Sequence, residues 1–295
     1  MNLLNQLSDA LVSRLPAAQP FVAAVRNEHG RHVTGLRWSD EVIVTSEQAM
    51  GSRDTYEVAT PDASRQATIA GRDNGTNLLV LRLKEPLATP ALESSRATVG
   101  SLVTAFGATN DGRVTARLGV VNSAGPEWHS QAGGRIEERI TLDIRLGRTE
   151  EGGPVFDTAG GFLGMSTLGT PGQVLVIPAA TLARVVPQLL KDGRVLRGWL
   201  GIGLQPVEVP EVLREAAGQA SGMMVMSIVE GGPGAQAGVT AGDIALSVDG
   251  APIDHWRSLA AKLGSESIGR ELPLRVIRGG EILTLNVPIT ARPHR

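Results

Sequence analysis

Between Phe21 and about Thr167 the chain breaks into short apolar segments: "FVAAV", "EVIVT", "TYEVAT", "ATIAG", "LLVLRL", "LVTAFG" and "RITLDI". Each is closed by a polar or glycine-bearing turn. Runs of this length suit β-strands, which average ~5–6 residues, better than helices. Strands this closely spaced leave no room for the helical crossovers of βαβ units, so closed all-β barrels are expected. "DNGT", Asp73 to Thr76, is a tight-turn signal directly before the strongest strand. The 36 glycines and 17 prolines, with aromatics at only 3%, fit this turn-rich reading and argue against a helical bundle.

The rhythm then changes twice. In "PAATLARVVPQLLKDG", Leu182, Val185, Val186, Leu189 and Leu190 share one helical face, and Asp192-Gly193 supplies a stop. Pro187 is expected to kink or loosen this helix. From about Arg197 a compact α+β unit begins. "MMVMSIV" reads as a strand and "PGAQAGV" as a short helix, and "AGDIALSVDG" adds a turn and strand. "DHWRSLAAKLG" reads as a helix capped by Asp254 and stopped by Gly264, with Trp256, Leu259, Ala260 and Leu263 inward. "LPLRVIRGGEILTLNVPI" reads as a hairpin turning at Gly279-Gly280. A chain of 295 residues fits two domains of this kind.

Several function classes drop out. A net charge of −2 offers no basic field for nucleic acid or anionic lipid. With no cysteine there can be no disulfide, thiolate metal site or cysteine nucleophile, and no cofactor is implied. No apolar run reaches the ~18 residues of a membrane span. "MNLLNQLSDALVSRLP" lacks the basic start and apolar block of an export signal, so a cytoplasmic location is expected, with the periplasm as the alternative if such a signal has been removed. Leu4, Leu7, Leu11 and Leu15 recur there at helical spacing. That face either packs on its own domain, the favoured reading, or mediates assembly.

Three stretches carry a family resemblance: "GGPVFDTAGGFLGMST" in the barrel region, and "RGWLGIGL" and "GGPGAQAGVTAGDIALSVDGAPI" in the second unit. Taken in order, they resemble the HtrA/Deg family, a trypsin-like double β-barrel followed by a smaller PDZ domain. The resemblance, which covers nearly the whole chain after residue 20, implies a mainly β fold with the double barrel over 21–191 and the PDZ domain over 198–292. The leucine spacing makes residues 1–20 an N-terminal amphipathic segment.

Family members carry a His-Asp-Ser triad, and the resemblance places its three positions here at Gln48 ("VTSEQAM"), Asn77 ("GTNLLVLRL") and Glu151 (before Gly152-Gly153-Pro154). Gln48 has no titratable nitrogen to take a proton, Asn77 cannot stabilise an imidazolium, and Glu151 would set a negative charge beside the developing oxyanion. Thr149 stands where the family uses a glycine to aim an oxyanion-hole amide, and a β-branched residue resists such backbone. None of the five histidines, His29, His32, His129, His255 and His294, falls at a triad position. Ser46 and Ser166 lie nearby without an identifiable base. Glu150 and Glu151, adjacent in extended chain, should point apart. Arg145 and Arg148 are the candidate partners of Glu151, filling the former specificity pocket with an ion pair. The expectation is a pseudoprotease, not an enzyme; the alternative is an active HtrA-type serine endopeptidase with an unrecognised arrangement.

The resemblance also implies a peptide site, in which no loop position carries an incompatible residue; the alternative is a structural subunit with this groove closed. PDZ domains add a peptide strand to a sheet edge and receive its terminal carboxylate on the amides of a glycine-containing loop. "WLGI" matches that loop: Trp199 leads into it, Gly201 allows close approach, and Leu200 and Ile202 line the pocket. Leu204 lies on the receiving strand, where Pro206, lacking an N–H, should end pairing. Leu259 and Leu263 close the groove from the helix, or serve as ordinary core. The expected partners are protein C-termini or unfolded peptides ending in an apolar residue, with a homo-oligomer (a trimer) or an active HtrA relative also in view. The expected role is that of a regulatory or adaptor subunit.

Overall fold

The computed structural model describes residues 2–26, 31–51, 53–169 and 172–293. Its chain forms two compact units, Met1–Val195 and Leu196–Arg295.

The first unit opens with helix α1 (Leu3–Ala18), started by Asn2, whose side chain accepts a hydrogen bond from the Leu4 amide. Strands β1 (Val22–Arg26), β2 (His32–Ser39), β3 (Val42–Ser46), β4 (Thr55–Thr60), β5 (Ala63–Asp73) and β6 (Leu78–Leu83) follow. They close into an antiparallel barrel in the order β1-β2-β3-β6-β5-β4. β7 (Leu102–Ala108) and β8 (Val114–Gly125) come next, then the two-residue strands β9 (Trp128–His129) and β10 (Arg135–Ile136), which pair with each other. β11 (Arg139–Leu142), β12 (Pro154–Asp157), β13 (Phe162–Leu168) and β14 (Val174–Pro178) complete a second barrel, ordered β11-β14-β13-β12-β7-β8. Closure leaves neither sheet a free edge. Helix α2 (Ala179–Asp192) ends at Gly193 in a left-handed cap, as the Asp192-Gly193 stop predicts, and runs on through Pro187.

All four phenylalanines of the chain lie in one cluster between the barrels. Phe156 packs against Phe21, Phe106 and Phe162 with ring centroids 5.4, 6.0 and 5.7 Å apart, and Trp38 meets Phe162 edge-on. In a chain so poor in aromatics this cluster fixes the seam along which residues of both barrels meet. The expected packing of α1 on its own domain holds only for its C-terminal half. Leu15 and Ala18 join the core, while Leu4 and Leu7 stay exposed.

The second unit contains β15 (Gly198–Trp199), β16 (Ile202–Glu208), helix α3 (Arg214–Ala217), β17 (Ser221–Ile228), helix α4 (Pro233–Gln236), β18 (Ile244–Val248), β19 (Ala251–Pro252), helix α5 (Trp256–Ala260), β20 (Glu271–Arg278), β21 (Glu281–Pro288) and β22 (Thr290–Ala291). Its sheet runs β16-β17-β18-β20-β21, with β19 paired to β18, so β16 is an edge strand. β20 and β21 turn at Gly279-Gly280, both at positive φ as a tight hairpin requires. The helix expected over 254–264 is shorter: α5 ends at Ala260, and Leu263 is carried by a following turn, its amide bonded to the Ala260 carbonyl.

Candidate functional site

The strands of both barrels deliver Gln48, Asn77 and Glu151 to one place. Gln48 follows β3 in a short 3-10 turn, and Asn77 closes the turn before β6 with φ at +56°, a left-handed conformation that asparagine tolerates. Glu151 precedes Gly152, whose φ of +91° only glycine adopts readily, and Gly153, where a Cβ would lie 1.8 Å from the Phe106 carbonyl oxygen. The double glycine thus lets this loop press against β7 and sets Glu151 facing β3.

Glu151 is 4% exposed, and its Oε1 is the focus of the site. It accepts hydrogen bonds from Ser46 Oγ at 2.7 Å, Gln48 Nε2 at 2.5 Å, Thr167 Oγ1 at 2.8 Å and the Leu168 amide at 3.3 Å. Asn77 binds these groups together. Its Nδ2 donates to Ser46 Oγ at 2.9 Å and to Thr167 Oγ1 at 2.7 Å, and its Oδ1 accepts from the Gln48 amide at 2.8 Å. Gln48 Nε2 also reaches the Leu168 carbonyl at 2.9 Å. Ser46 and Thr167 stand against Glu151 as donors and against Asn77 as acceptors, so each hydroxyl has its proton direction assigned by its neighbours.

The expected ion pair of Glu151 with Arg145 or Arg148 does not form. Both arginines are exposed, and among the described residues every group that bonds the Glu151 carboxylate is neutral. The ion pair belongs instead to Glu150, which lies with Glu151 in a turn rather than in the expected extended chain and sends its carboxylate to other partners. Its carboxylate meets Arg117 Nε at 2.8 Å and the Gly147 amide at 2.7 Å. The hydrogen bond to Glu150, reinforced by its charge, raises the Arg117 guanidinium above its ordinary range. Thr149 is absent from the non-glycine residues with positive φ, and its carbonyl accepts from Thr34 Oγ1 at 2.7 Å.

Chemically, the network is a hydrogen-bonded lock in which the Ser46 hydroxyl donates to the Glu151 carboxylate. Ser46 and Ser166 have no exposed surface, so no carbonyl reaches either oxygen in this conformation. His32 Nε2 contacts the Ala108 carbonyl at 2.9 Å, and His255 Nδ1 contacts Asp254 at 2.5 Å in the other unit. His29 and His294 lie outside the described residues. Thr167 is the network member that the sequence reading missed. Its signal was available, since Thr167 alternates with Ser166 along the strand and must face the opposite side.

In the second unit, Gly201 takes φ +71°, and a Cβ there would come within 3.2 Å of Pro233 Cδ. The turn is tied down on both sides: the Leu200 carbonyl accepts from the Gly234 amide at 2.7 Å, and the Gly201 carbonyl accepts from the Val229 amide at 2.8 Å. Trp199 pairs with Thr290 across β15 and β22. Leu200, Leu259 and Leu263 are buried in one cluster, with Ile202 and Leu204 partly buried against it. Leu259 and Leu263 are therefore the apolar floor of this region and part of the domain core. β16 continues past Pro206 to Glu208, a tolerance that its edge position explains.

Comparison with known proteins places this geometry. Residues 33–165 match the trypsin-like peptidase domain and residues 198–289 match the PDZ domain. The chain is 30% identical over 266 residues to the "Probable periplasmic serine endoprotease DegP-like" of Brucella suis, covering 86% of this chain and 51% of the relative. It is 32% identical to the protein of the same name in Bartonella henselae, covering 87% and 52%. The chain thus spans about half the length of the curated relatives it matches. Among solved structures it superposes on the "HtrA-type protease AlgW with decapeptide" with a TM-score of 0.73 at 23% identity, covering 97% and 99% of the two chains. The serine endoprotease from Yersinia pestis gives 0.73 at 24%, covering 97% and 98%.

Two expectations are corrected by these names. Relatives called serine endoproteases overturn the expectation that the chain stands outside the enzymes, which rested on the three triad positions, on Thr149 and on the placement of the histidines. Relatives called periplasmic overturn the expectation of a cytoplasmic location. The chain therefore carries a region that matches the trypsin-like peptidase domain followed by one that matches the PDZ domain, on a fold similar to that of the HtrA-type protease structures.

Proposed function

We propose that this HtrA/DegP-type chain captures peptide C-termini through its PDZ domain. The observation that carries this reading is the edge strand β16, which leaves the left-handed turn at Gly201 with Leu200, Ile202 and Leu204 beside it. An edge strand presents backbone donors and acceptors that an incoming strand can pair. The apolar floor suits a ligand ending in an apolar residue. The solved neighbour with a bound decapeptide supports the same reading. Titrating the full chain with fluorescent C-terminal peptides tests it. Gly201→Ala should force about 1–2 kcal/mol of left-handed strain or distort the loop, weakening capture by about tenfold. Wild-type chain that binds no apolar-ended peptide at millimolar concentration would end this reading.

A second reading, endoproteolysis by the barrels in the periplasm, is favoured by the names of the relatives. The triad positions bear on its route. With Gln48, Asn77 and Glu151 as they stand, Ser-His-Asp chemistry has neither base nor nucleophile there. Turnover would need a group outside these three. Incubation with an unfolded polypeptide and with a fluorophosphonate probe separates the readings. Cleavage with covalent labelling supports hydrolysis by a serine elsewhere in the chain. Peptide capture with neither leaves the binding role, carried on a barrel scaffold whose triad positions have been replaced.

A further inference from the structure

In the first barrel, away from the Glu151 network, a cavity of about 490 Å³ is lined by Arg37 and Arg65 together with Pro16, Gln19 and Thr60. Arg37 projects from β2 and is 8% exposed; Arg65 projects from β5. Arginine is rarely buried without a paired charge. Four arginines in the described residues have a buried Nε with no hydrogen-bond partner: Arg26, Arg37, Arg65 and Arg72. Arg26 still meets Glu57 at 2.7 Å, and Arg72 meets Glu47 at 3.8 Å. Arg37 and Arg65 form no ion pair among the described residues, and they are the two that line this cavity. Arg37 reaches only the Ala88 carbonyl, at 2.6 Å. Burial, then the charge of Arg65, pull the Arg37 guanidinium below its ordinary range, and Asp40 offsets this in part. Asp62 also lines the cavity, as an exposed residue.

We propose that Arg37 and Arg65 form an anion-binding site for a phosphate-type oxyanion. Two like charges brought together from separate strands, with no ion pair to either among the described residues, are stabilised by an anion that both can contact. A guanidinium presents a planar fork that one carboxylate satisfies with its two oxygens. Two forks on one ligand call for three or more oxygens, which a tetrahedral oxyanion has and a carboxylate lacks. The cavity is roomier than an inorganic ion needs, leaving space for a small organic substituent on the phosphate.

The test uses the full chain and inorganic phosphate, with sodium chloride at matched ionic strength as reference and acetate as a carboxylate arm. A ligand that binds the folded state raises the unfolding temperature by mass action. The wild type should show a saturable rise in phosphate, absent in chloride and smaller in acetate. Arg65→Ala, at a half-buried position, should move the phosphate midpoint at least about tenfold higher, the worth of one charged hydrogen-bond pair. Arg37→Met should abolish the rise; if that variant does not fold, Arg65→Ala decides alone. No rise in the wild type, or an undiminished rise in Arg65→Ala, overturns the site. An equal rise in acetate overturns its assignment to a tetrahedral anion.

Discussion

Glu151 shows what a single buried carboxylate needs when no cation is supplied. Four neutral donors converge on its Oε1, and the two hydroxyls among them are themselves oriented by Asn77. Removing the acceptor leaves those donors buried and unanswered, which costs roughly 1–3 kcal/mol for such groups. Glu151→Ala is therefore expected to lower the stability of the barrel unit by about that amount. Urea titration followed by circular dichroism checks it, and an unchanged midpoint would show that the network contributes nothing. Glu151→Gln, which can still accept through its amide oxygen, should recover part of the loss. The identity of the three positions could be read in advance from "VTSEQAM", "GTNLLVLRL" and the double glycine. The partners of Glu151 could not, because Arg145 and Arg148 are close in sequence yet point to solvent, whereas Gln48 is 103 residues away.

Among the elements, α2 shows how a helix is fastened to a barrel by charge as well as by its apolar face. Glu137, between β10 and β11, meets Arg184 Nε at 2.5 Å, accepts from Thr181 Oγ1, and meets Arg135 at 3.1 Å. Burial alone would raise its carboxyl, but the hydrogen bonds from Arg184 and Thr181 and the Arg184 charge outweigh it, bringing the group from 4.5 to about 2. A carboxyl depressed in the folded state contributes stability that is complete above its unfolded value and is lost as pH falls through its folded value. Barrel stability should therefore decline between about pH 4.5 and 2, more steeply in the wild type than in Glu137→Gln. Denaturant midpoints measured across that window check the sign. The helical face and left-handed cap of α2 were legible as a periodic pattern ending in Asp192-Gly193. The short α5 was not: its apolar spacing reads as a longer helix. In the structure the chain turns after Ala260, and the Leu263 carbonyl accepts from the Gly198 amide at 2.9 Å.

For the molecule as a whole, each unit has a core of its own. The second unit buries Leu200, Met223, Val225, Ile253, Leu274 and Val287 in one cluster. A domain with its own core can fold alone. Residues 196–295 expressed separately are expected to unfold in one cooperative transition, and the full chain to give a calorimetric profile that two transitions describe. A separate fragment that stays unfolded would overturn this. The division into an all-β region and an α+β module was legible because a change of rhythm near Arg197 separates closely spaced strands from a strand-and-helix module. The resemblance carried by the glycine-rich motifs supplied the double-barrel and PDZ identities. The exposed start of α1 was not, because its leucine spacing is the same whether a helix covers a core or stands off it.

The sequence by itself determined what depends on neighbours along the chain: which segments are strands, where glycine permits a left-handed turn, and which residues stand at the positions the family resemblance singles out. Tertiary structure alone decided which groups meet. It gave Glu151 hydroxyls and amides in place of an arginine, and it brought Arg37 and Arg65 to one cavity with no ion pair to either among the described residues. The reason is physical. Apolar periodicity and turn geometry act over a few residues, whereas a buried polar group takes the partner that chain closure brings within about 3 Å.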